Sequence, residues 1–253
     1  MSAKPVVYLG DTTLNTAASY LGGVMTQDGI DFIYVPSGRR VKPAVVAPER
    51  KLFIVSDFSA THFPQPLQRR VVSQVKRGAG LLMIGGWESF HGSEGCWQGT
   101  PIGDVLPVVI GQADDRVNCD QPTLLAATSD HPIVDGLPWS DRAPTIGGFN
   151  RFRPRPRSRV LLEAMLFQAR RAGKGMTFSL QRKAPILVIG KHGQGRTAAL
   201  ATDVAPHWVG GLVDWGDRRV AAQVPHGEAI EVGEYYAAFV SRLVRWTAAL
   251  DEL

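Results

Sequence analysis

The residues with the clearest chemical potential lie in four polar turns, each directly after an apolar run of strand length. These turns start at Asp11, Asp57, Trp87 and Asp203. In a parallel sheet, the turns that follow the strands gather at one edge, and open α/β folds bind their ligands there. The sequence therefore predicts a single crevice to which all four turns contribute.

The turn that starts at Asp203 contains the strongest acid–base candidate. His207 lies four residues after Asp203, between Pro206 and Trp208. A carboxylate can fix the tautomer of an imidazole and leave the second ring nitrogen facing the crevice. The alternative is that His207 only caps the segment that follows it. We take Asp203 and His207 as a predicted catalytic pair and keep the capping role open.

The turn that starts at Trp87 offers a carboxylate and a hydroxyl. Glu88 can act as a general acid or base where a crevice desolvates it and raises its pKa, although a glutamate in such a turn is usually solvated. Ser89 is the candidate nucleophile, but Trp87 replaces the first glycine of a G-x-S-x-G elbow. A loop serine more often bonds to the backbone. Both residues belong to the predicted catalytic set.

The same turns supply the predicted substrate pocket. Its predicted lining residues are Asp57, Gly85, Gly86, Trp87, Phe90 and Trp208. Trp97 and Trp215 lie in similar glycine-rich loops. Tryptophan buries a large area and keeps one donor available, so these aromatic side chains suit either a cavity wall or a contact between subunits.

Carboxylate and imidazole groups are metal-ligand types, but the sequence does not favour a metal site. Asp57, His62, Asp203 and His207 show none of the close helical spacing of a zinc motif. The two cysteines have no CxxC spacing, so neither a disulfide framework nor a zinc site is expected. We therefore predict no metal and no cofactor.

Alternating strand and helix patterns in the first half of the chain position the turns. Strands are predicted at 4–11, 31–36 and 51–57 and in the stretch that starts at Gly78 and ends at Ile84, and helices at 15–27 and 65–77. The run that ends at Ile84 is apolar and bounded by glycines, as in a strand buried on both faces. This alternation predicts a doubly wound α/β fold with a largely parallel sheet.

The second half of the chain is predicted to be richer in strands. Brief strands are expected at 122–127, 145–149, 159–164, 176–180, 186–189 and 197–201, separated by turns. A short helix is predicted at 100–106, and a closing helix with an apolar stripe at 231–250. The Gly-Gln-Gly sequence at 193–195 is read as a hairpin turn, because no helix follows it.

Length, composition and charge limit the classes of protein to consider. A chain of 253 residues with 44% hydrophobic residues fits one soluble domain, which we place at 1–253. No leader and no membrane-spanning run is recognisable, which predicts a cytoplasmic protein and no membrane partner. The net charge is +5, and arginines alternate along 151–159. Prolines make that segment an extended, solvated connection, so we do not predict nucleic-acid binding and leave its role open.

Five motifs occur together in one known family. They are GGWESFHG at 85–92, TPIGDVLPV at 100–108, DHPIVDGL at 130–137, HGQGR at 192–196 and DVAPHW at 203–208. On the basis of these motifs, the chain resembles the glutamine amidotransferase-like family of bacterial cytoplasmic proteins over nearly its whole length. The resemblance implies a class I glutamine amidotransferase-like fold. This is a flavodoxin-like or Rossmann-like α/β sandwich with a mostly parallel central sheet, here with extra strands in the second half.

The departure from that family concerns the nucleophile. By the resemblance, the turn after Ile84 occupies the nucleophile elbow, and the Asp57 turn occupies the place of the oxyanion hole. A working glutaminase has a cysteine at the elbow, where its thiolate attacks the amide carbonyl. In this sequence Gly86 or Trp87 stands there, and Cys96 lies ten residues beyond Gly86.

These observations lead to two functional hypotheses. The first is an amidotransferase-like protein without glutaminase activity, which binds or hydrolyses an unidentified small molecule and forms a homo-oligomer; if it is an enzyme, it is a hydrolase. The alternative is a non-enzymatic assembly module, in which the tryptophan-bearing loops and the segment 151–159 contact copies of the chain or another protein. The residues name neither substrate nor pathway.

Overall fold

The apolar run at 80–84 forms a central strand of an eight-stranded sheet. In the computed structural model, which describes residues 5–250, every residue of this strand is buried. It has parallel strands on both sides, as expected for a strand without a polar face. The prediction of a fully buried central strand is confirmed.

Residues 5–250 form fourteen strands and three α-helices. The strands are β1 (Val6–Gly10), β2 (Phe32–Val35), β3 (Leu52–Ser56), β4 (Gly80–Ile84), β5 (Val108–Ile110), β6 (Arg116–Asn118), β7 (Thr123–Ala127), β8 (Gly148–Asn150), β9 (Phe152–Pro154), β10 (Arg159–Ala172), β11 (Gly175–His192), β12 (Gly195–Leu200), β13 (Arg219–Gln223) and β14 (Ala229–Gly233). The helices are α1 (Ala18–Gln27), α2 (Gln65–Lys76) and α3 (Glu234–Ala248). Short 3₁₀ turns lie at Pro43–Val46, Ala60–His62, Gly103–Val105 and Gly210–Leu212.

The large sheet has a parallel half and an antiparallel half. Its strand order is β2-β1-β3-β4-β12-β11-β10-β7. The first five strands in this order pair in parallel, and β11, β10 and β7 pair antiparallel. The crossovers through α1 and α2 run in opposite directions along the sheet, so right-handed connections place these helices on opposite faces. The predicted α/β fold with a largely parallel sheet is confirmed.

The closing helix packs as predicted but begins later. α3 lies against β4 and β12 and touches α1, with Tyr236, Phe239 and Leu243 buried. It begins at Glu234, because the preceding residues form β14 and pair with β13. Apart from Ala205 and Trp208, the buried hydrophobic side chains of the described residues form one cluster. No helix formed by residues 5–250 is long and apolar enough to cross a membrane.

The predicted brief strands at 159–164, 176–180 and 186–189 were wrong in extent. They belong to two long strands, β10 and β11, which pair with each other from Arg159 opposite Ile189 to Ala172 opposite Gly175. Pro185, which reads as a break, lies inside this ladder opposite Glu163. Backbone pairing between distant segments, rather than local pattern, sets the length of these strands.

Three smaller predictions also need correction. The predicted helix 100–106 is only the turn Gly103–Val105, because Leu106 is extended before Pro107. α1 starts at Ala18 rather than at residue 15, since the Thr16 hydroxyl accepts from the backbone N–H of Thr13 and donates to its carbonyl, in addition to bonding the Thr13 hydroxyl. The strand predicted at 145–149 lies at 148–150. The hairpin turn at 193–195 is confirmed, with His192 opposite Gly195.

Candidate functional site

The strand order reverses between β1 and β3, and this reversal places a crevice at their carboxyl ends. The chain leaves β1 for β2 on one side and leaves β3 for β4 on the other, which is where open α/β sheets bind ligands. Asp11 and Asp57 are the first residues after the two strands, and both have positive φ angles, 51° and 44°. The backbone thus turns sharply on both sides of the crevice.

Asp11 lies at the floor of the crevice and is buried. The hydroxyls of Tyr8 and Ser56 donate to its two carboxylate oxygens. Burial, followed by the negative charges of Asp203 and Asp57, raises its pKa well above the ordinary value, against the lowering effect of the Tyr8 hydrogen bond. Asp11 was not among the predicted site residues, although its turn was.

Asp57 joins the crevice to the turn after β4. Its backbone N–H donates to Ser89 Oγ at 2.9 Å, and its Oδ1 accepts from the backbone N–H of Glu88. A Cβ on Gly86 would lie 2.6 Å from that oxygen, so a larger residue there would displace the Asp57 side chain. Burial raises the pKa of Asp57, and the hydrogen bond from Glu88 opposes the shift.

The structure places His207 and Asp203 next to each other. His207 Nδ1 lies 3.5 Å from Asp203 Oδ2, while the backbone N–H groups of Val204 and Ala205 donate to Asp203 Oδ1. Asp203 is buried, whereas the His207 side chain is 63% exposed. The interaction of Nδ1–H with the accepting Asp203 carboxylate raises the pKa of His207, and the charges of Asp57 and Asp11 act in the same direction. His207 Nδ1 therefore faces the Asp203 carboxylate, and Nε2 is left accessible to solvent or a ligand.

A cavity of about 410 Å³ opens beside His207. It lies between the start of α1, the loop after Asp203 and the start of β14; its lining residues are Thr12, Thr16, Ala17, Tyr20, Pro206, His207, Glu228, Ala229 and Ile230. Burial raises the pKa of Tyr20, and the charge of Glu228 adds to the shift. Sequence reasoning missed Thr16, Tyr20 and Glu228. Thr16 and Tyr20 are one helical turn apart, which is a local signal, but nothing local connects Glu228 to them.

The predicted catalytic residues of the turn after β4 take different positions. Ser89 is fully buried, and its hydroxyl holds the Asp57 turn as described above. Glu88 is partly exposed, and burial and the charge of Asp57 raise its pKa. Asp57 accepts backbone hydrogen bonds from Trp87 and Glu88 and also interacts with the charge of His207. The turns after β1, β3, β4 and β12 therefore meet at one edge, as predicted.

Most of the aromatic residues predicted to line a pocket or a contact surface lie in the core. Phe90 is fully buried and packs on Phe152 at 5.1 Å between ring centroids. Trp208 is 3% exposed and donates to Asn118 Oδ1. Trp97 and Trp215 are buried in the same way, with indole N–H groups bonded to the carbonyls of Phe58 and Arg142. Trp87 is 52% exposed, under the guanidinium of Arg116.

A buried polar tether fixes the turn after β4. Asn150 Oδ1 accepts from the backbone N–H of Gly86, and its Nδ2 donates to the Gly86 carbonyl and to Asp115 Oδ1. Asp115 in turn accepts from the backbone N–H groups of His91 and Gly92. A Cβ on Gly85 would lie 1.9 Å from the Ala201 carbonyl oxygen, so β4 leaves the sheet in close contact with the end of β12.

The nucleophile elbow of a glutaminase has no counterpart here. The chain does not enter a helix after Ile84 but continues through an irregular loop to the turn at Gly103–Val105. Cys96 is an exposed residue of that loop, and burial raises the pKa of Cys119. Within residues 5–250, no group of three or more His, Cys, Asp or Glu side chains is arranged to hold a metal ion.

Solved structures share this architecture. Cytoplasmic proteins STM3548 from Salmonella typhimurium and STM1381 from Salmonella typhimurium LT2 are each 22% identical to the chain, with TM-scores of 0.70 and 0.72. In both cases the likeness covers 96% of this chain and 98% of the other. The mmIFT52 N-terminal domain is 12% identical, with a TM-score of 0.56, and the likeness covers 98% and 99% of the two chains. At these identities the likeness concerns the fold alone.

The sequence comparisons give the family. No curated protein matches the chain. A family model described as "Putative glutamine amidotransferase" matches residues 53–221, which include all of β3 except Leu52, the turn after β4 and the loop with Asp203 and His207. The chain therefore belongs to this glutamine amidotransferase-like family.

Proposed function

We propose that the chain is a glutamine amidotransferase-like protein that binds or hydrolyses a small polar molecule and has no cysteine-dependent glutaminase activity. The observation that carries the proposal is the His207–Asp203 pair, with one imidazole nitrogen open beside the 410 Å³ cavity. Buried carboxylates with raised pKa values surround this pair. Such perturbed groups concentrate at functional sites.

The arrangement suits activation of a water molecule. With Nδ1 directed at Asp203, His207 Nε2 can take a proton from water while the resulting hydroxide attacks the substrate. Asp57 and Glu88, whose pKa values are raised, are the proposed proton donors to the leaving group. In this proposal Ser89 supports Asp57 through its hydrogen bond and remains a second candidate nucleophile.

The charge of the crevice restricts the substrate. Asp11, Asp57 and Asp203 face the same edge. Burial, with the negative charges of Asp203 and Asp57, raises the pKa of Asp11, and burial, with the charge of Asp203, raises the pKa of Asp57. A ligand with a carboxylate or phosphate group would add a further negative charge, which is unfavourable next to these groups. The proposed substrates are therefore neutral, hydroxyl-bearing or amine-bearing molecules.

The remaining assignments are also proposals. The parallel strands follow the order 2-1-3-4-5 when counted along the parallel half, which is the order of flavodoxin-like sheets and supports that fold assignment. The names of the two Salmonella typhimurium proteins support a cytoplasmic location. We propose no membrane or nucleic-acid partner, and a homo-oligomer is argued below.

A substrate panel with matched variants tests the catalytic proposal. We expect turnover of one or more neutral esters, amides or glycosides by the native chain, and a loss of about 100-fold or more in kcat/KM for His207→Gln. His192→Gln is the matched control, because His192 lies at the opposite edge of the sheet, and it should keep full activity. A native rate that His207→Gln leaves unchanged would remove His207 from the mechanism.

The absence of glutaminase activity needs its own test. The native chain and Cys96→Ser should release no ammonia from glutamine above background. Glutamine hydrolysis that is lost in Cys96→Ser would show that Cys96 acts as a displaced nucleophile and would overturn this part of the proposal.

A further inference from the structure

The distal part of the β10–β11 hairpin, residues 167–183, stands free of the sheet; we call it the arm. β7 pairs with β10 only as far as Leu166, and β12 pairs with β11 only from Leu187 onward. The two arm strands remain paired with each other to Ala172 opposite Gly175. The arm is therefore a folded two-stranded ribbon whose outer edges pair with no other strand, although the Ala169 N–H donates to Gln121 Oε1 near its base.

The arm projects from the edge that carries the candidate site. Leu187 lies opposite Leu200, and Leu200 lies beside Ile84, the last residue of β4. Because β11 runs antiparallel to β12, its residues before Leu187 lie beyond the carboxyl edge of the parallel strands. Twelve residues of strand at about 3.3 Å each span roughly 40 Å, enough to reach a neighbouring molecule.

One face of the arm carries an exposed apolar stripe, which ends at the tip where Arg171 lies opposite Met176. Phe167 lies opposite Leu180, and Ala169 lies opposite Phe178, so these side chains share a face. Met176, Phe178 and Leu180 alternate along β11 and are 55%, 57% and 47% exposed. Together with Trp87 they are the exposed large hydrophobic side chains of residues 5–250. Contiguous exposed apolar side chains mark contact surfaces, and a lone two-stranded ribbon is marginally stable in water.

The charge of the arm favours contact with an acidic surface. The chain has no Asp or Glu between Glu163 and Asp203. The arm carries five cations: Arg170, Arg171, Lys174, Arg182 and Lys183. The carboxyl edge, in contrast, combines the exposed Trp87 with Glu88 and the exposed Glu94, whose charge contributes to the raised pKa of Glu88.

We propose that the arm docks on the carboxyl edge of a second copy of this chain. In a twofold dimer each arm would cross to the partner's Trp87 and place its cations against the partner's Glu88 and Glu94. The apolar face covers the exposed indole, and the partner's arm closes the open side of the candidate site. The inference deepens the proposed function because it adds a partner segment to the same site, but the dimer does not depend on any activity there.

Two variants of neighbouring arm residues test the contact. Phe178→Asp and Ser179→Asp each add one negative charge at an exposed position, but Phe178 lies on the apolar face and Ser179 on the opposite face. Sedimentation equilibrium of the full chain at 1–100 µM should show a dimer, with a dissociation constant raised at least tenfold by Phe178→Asp and nearly unchanged by Ser179→Asp. A monomeric native chain, or equal effects of the two variants, would overturn the proposal.

Cross-linking tests which surface receives the arm. In a mixture of ¹⁴N-labelled and ¹⁵N-labelled chains, a zero-length carbodiimide should join Lys174 or Lys183 of one isotope to Glu88 or Glu94 of the other. A stable dimer without such mixed peptides would overturn docking at the carboxyl edge, and so would a monomer whose arm binds a nucleic-acid duplex instead. A monomeric native chain would not affect the His207→Gln test. Unchanged activity in His207→Gln would not affect the evidence for the dimer, so the two proposals can be rejected separately.

Discussion

The parallel half of the sheet and the arm extend to the same edge of the molecule, but they differ in the sign and the burial of their charged groups. In the parallel half, the carboxylates of Asp11 and Asp203 are buried and bonded to hydroxyl or backbone groups. Residues 170–183 of the arm are all exposed, and no acidic residue occurs on it. Although the net charge of the chain is +5, the crevice is acidic and the arm is basic. Overall basicity is therefore a poor guide to the partners of this protein.

The difference in packing between the end of β1 and the tip of the arm gives the largest expected change in the free energy of unfolding. Gly10 has φ +119°, and a Cβ there would lie 1.5 Å from the Ser56 carbonyl oxygen, whereas Gly173 at the arm tip has φ +60° and open space around it. Gly10→Ala should reduce the free energy of unfolding by about 4 kcal/mol or more, because β1 and β3 must separate. Gly173→Ala should cost about 1 kcal/mol, from backbone strain alone. Urea unfolding of both variants measures the difference, and equal losses would contradict the comparison.

Removal of the buried charge of Asp11 should change the free energy of unfolding by less than Gly10→Ala does, and in the opposite direction. Because the pKa of Asp11 is raised in the folded state, the folded chain binds a proton more tightly than the unfolded chain. The stabilising contribution of Asp11 is fully present below its ordinary pKa of 3.8. It is lost as the pH rises through the pKa that Asp11 has in the folded state. Asp11→Asn should therefore raise the free energy of unfolding at pH 8 by something on the order of 1 kcal/mol, the equivalent of one pKa unit.

A carboxylate with the opposite shift provides the control. The Arg142 guanidinium lowers the pKa of Asp217, which lies at the surface, so Asp217→Asn should not stabilise the chain at pH 8. The measurement is chemical unfolding of the three proteins between pH 4 and pH 8. If Asp11→Asn were less stable than the native chain at pH 8, the hydrogen bonds of Asp11 would outweigh its burial, and this account of the crevice floor would be wrong.

The sequence was informative where structure is local. The turns after β1, β3, β4 and β12 were predicted because each apolar run changes abruptly to polar residues, and a parallel sheet brings such turns together. The tether from Asn150 to Gly86 joins residues 64 positions apart, so no local pattern indicates it. For the same reason the crevice contribution of Glu228 was missed.

The sequence misled where local polarity conflicts with tertiary pairing or burial. Pro185 and the polar residues at 181–183 suggested a break between two brief strands, but pairing with β10 carries β11 through them. Phe90 and Trp208 lie in glycine-rich sequence that is typical of surface loops, yet both side chains are buried. A loop that packs against the end of a sheet cannot be distinguished from a solvated loop by composition alone.

The Asp203–His207 pair is the central claim, and a pH titration of His207 by NMR tests it most directly. The Hε1 resonance can be assigned by its loss in His207→Gln. In the native chain the pKa of His207 should lie above its ordinary value of 6.5, because Asp203 stabilises the imidazolium. In Asp203→Asn it should fall below the native value, since the largest interaction that raises it is lost and the partial burial that lowers it remains. A native pKa at or below 6.5, or one that Asp203→Asn leaves in place, would contradict the pairing and with it the proposed base.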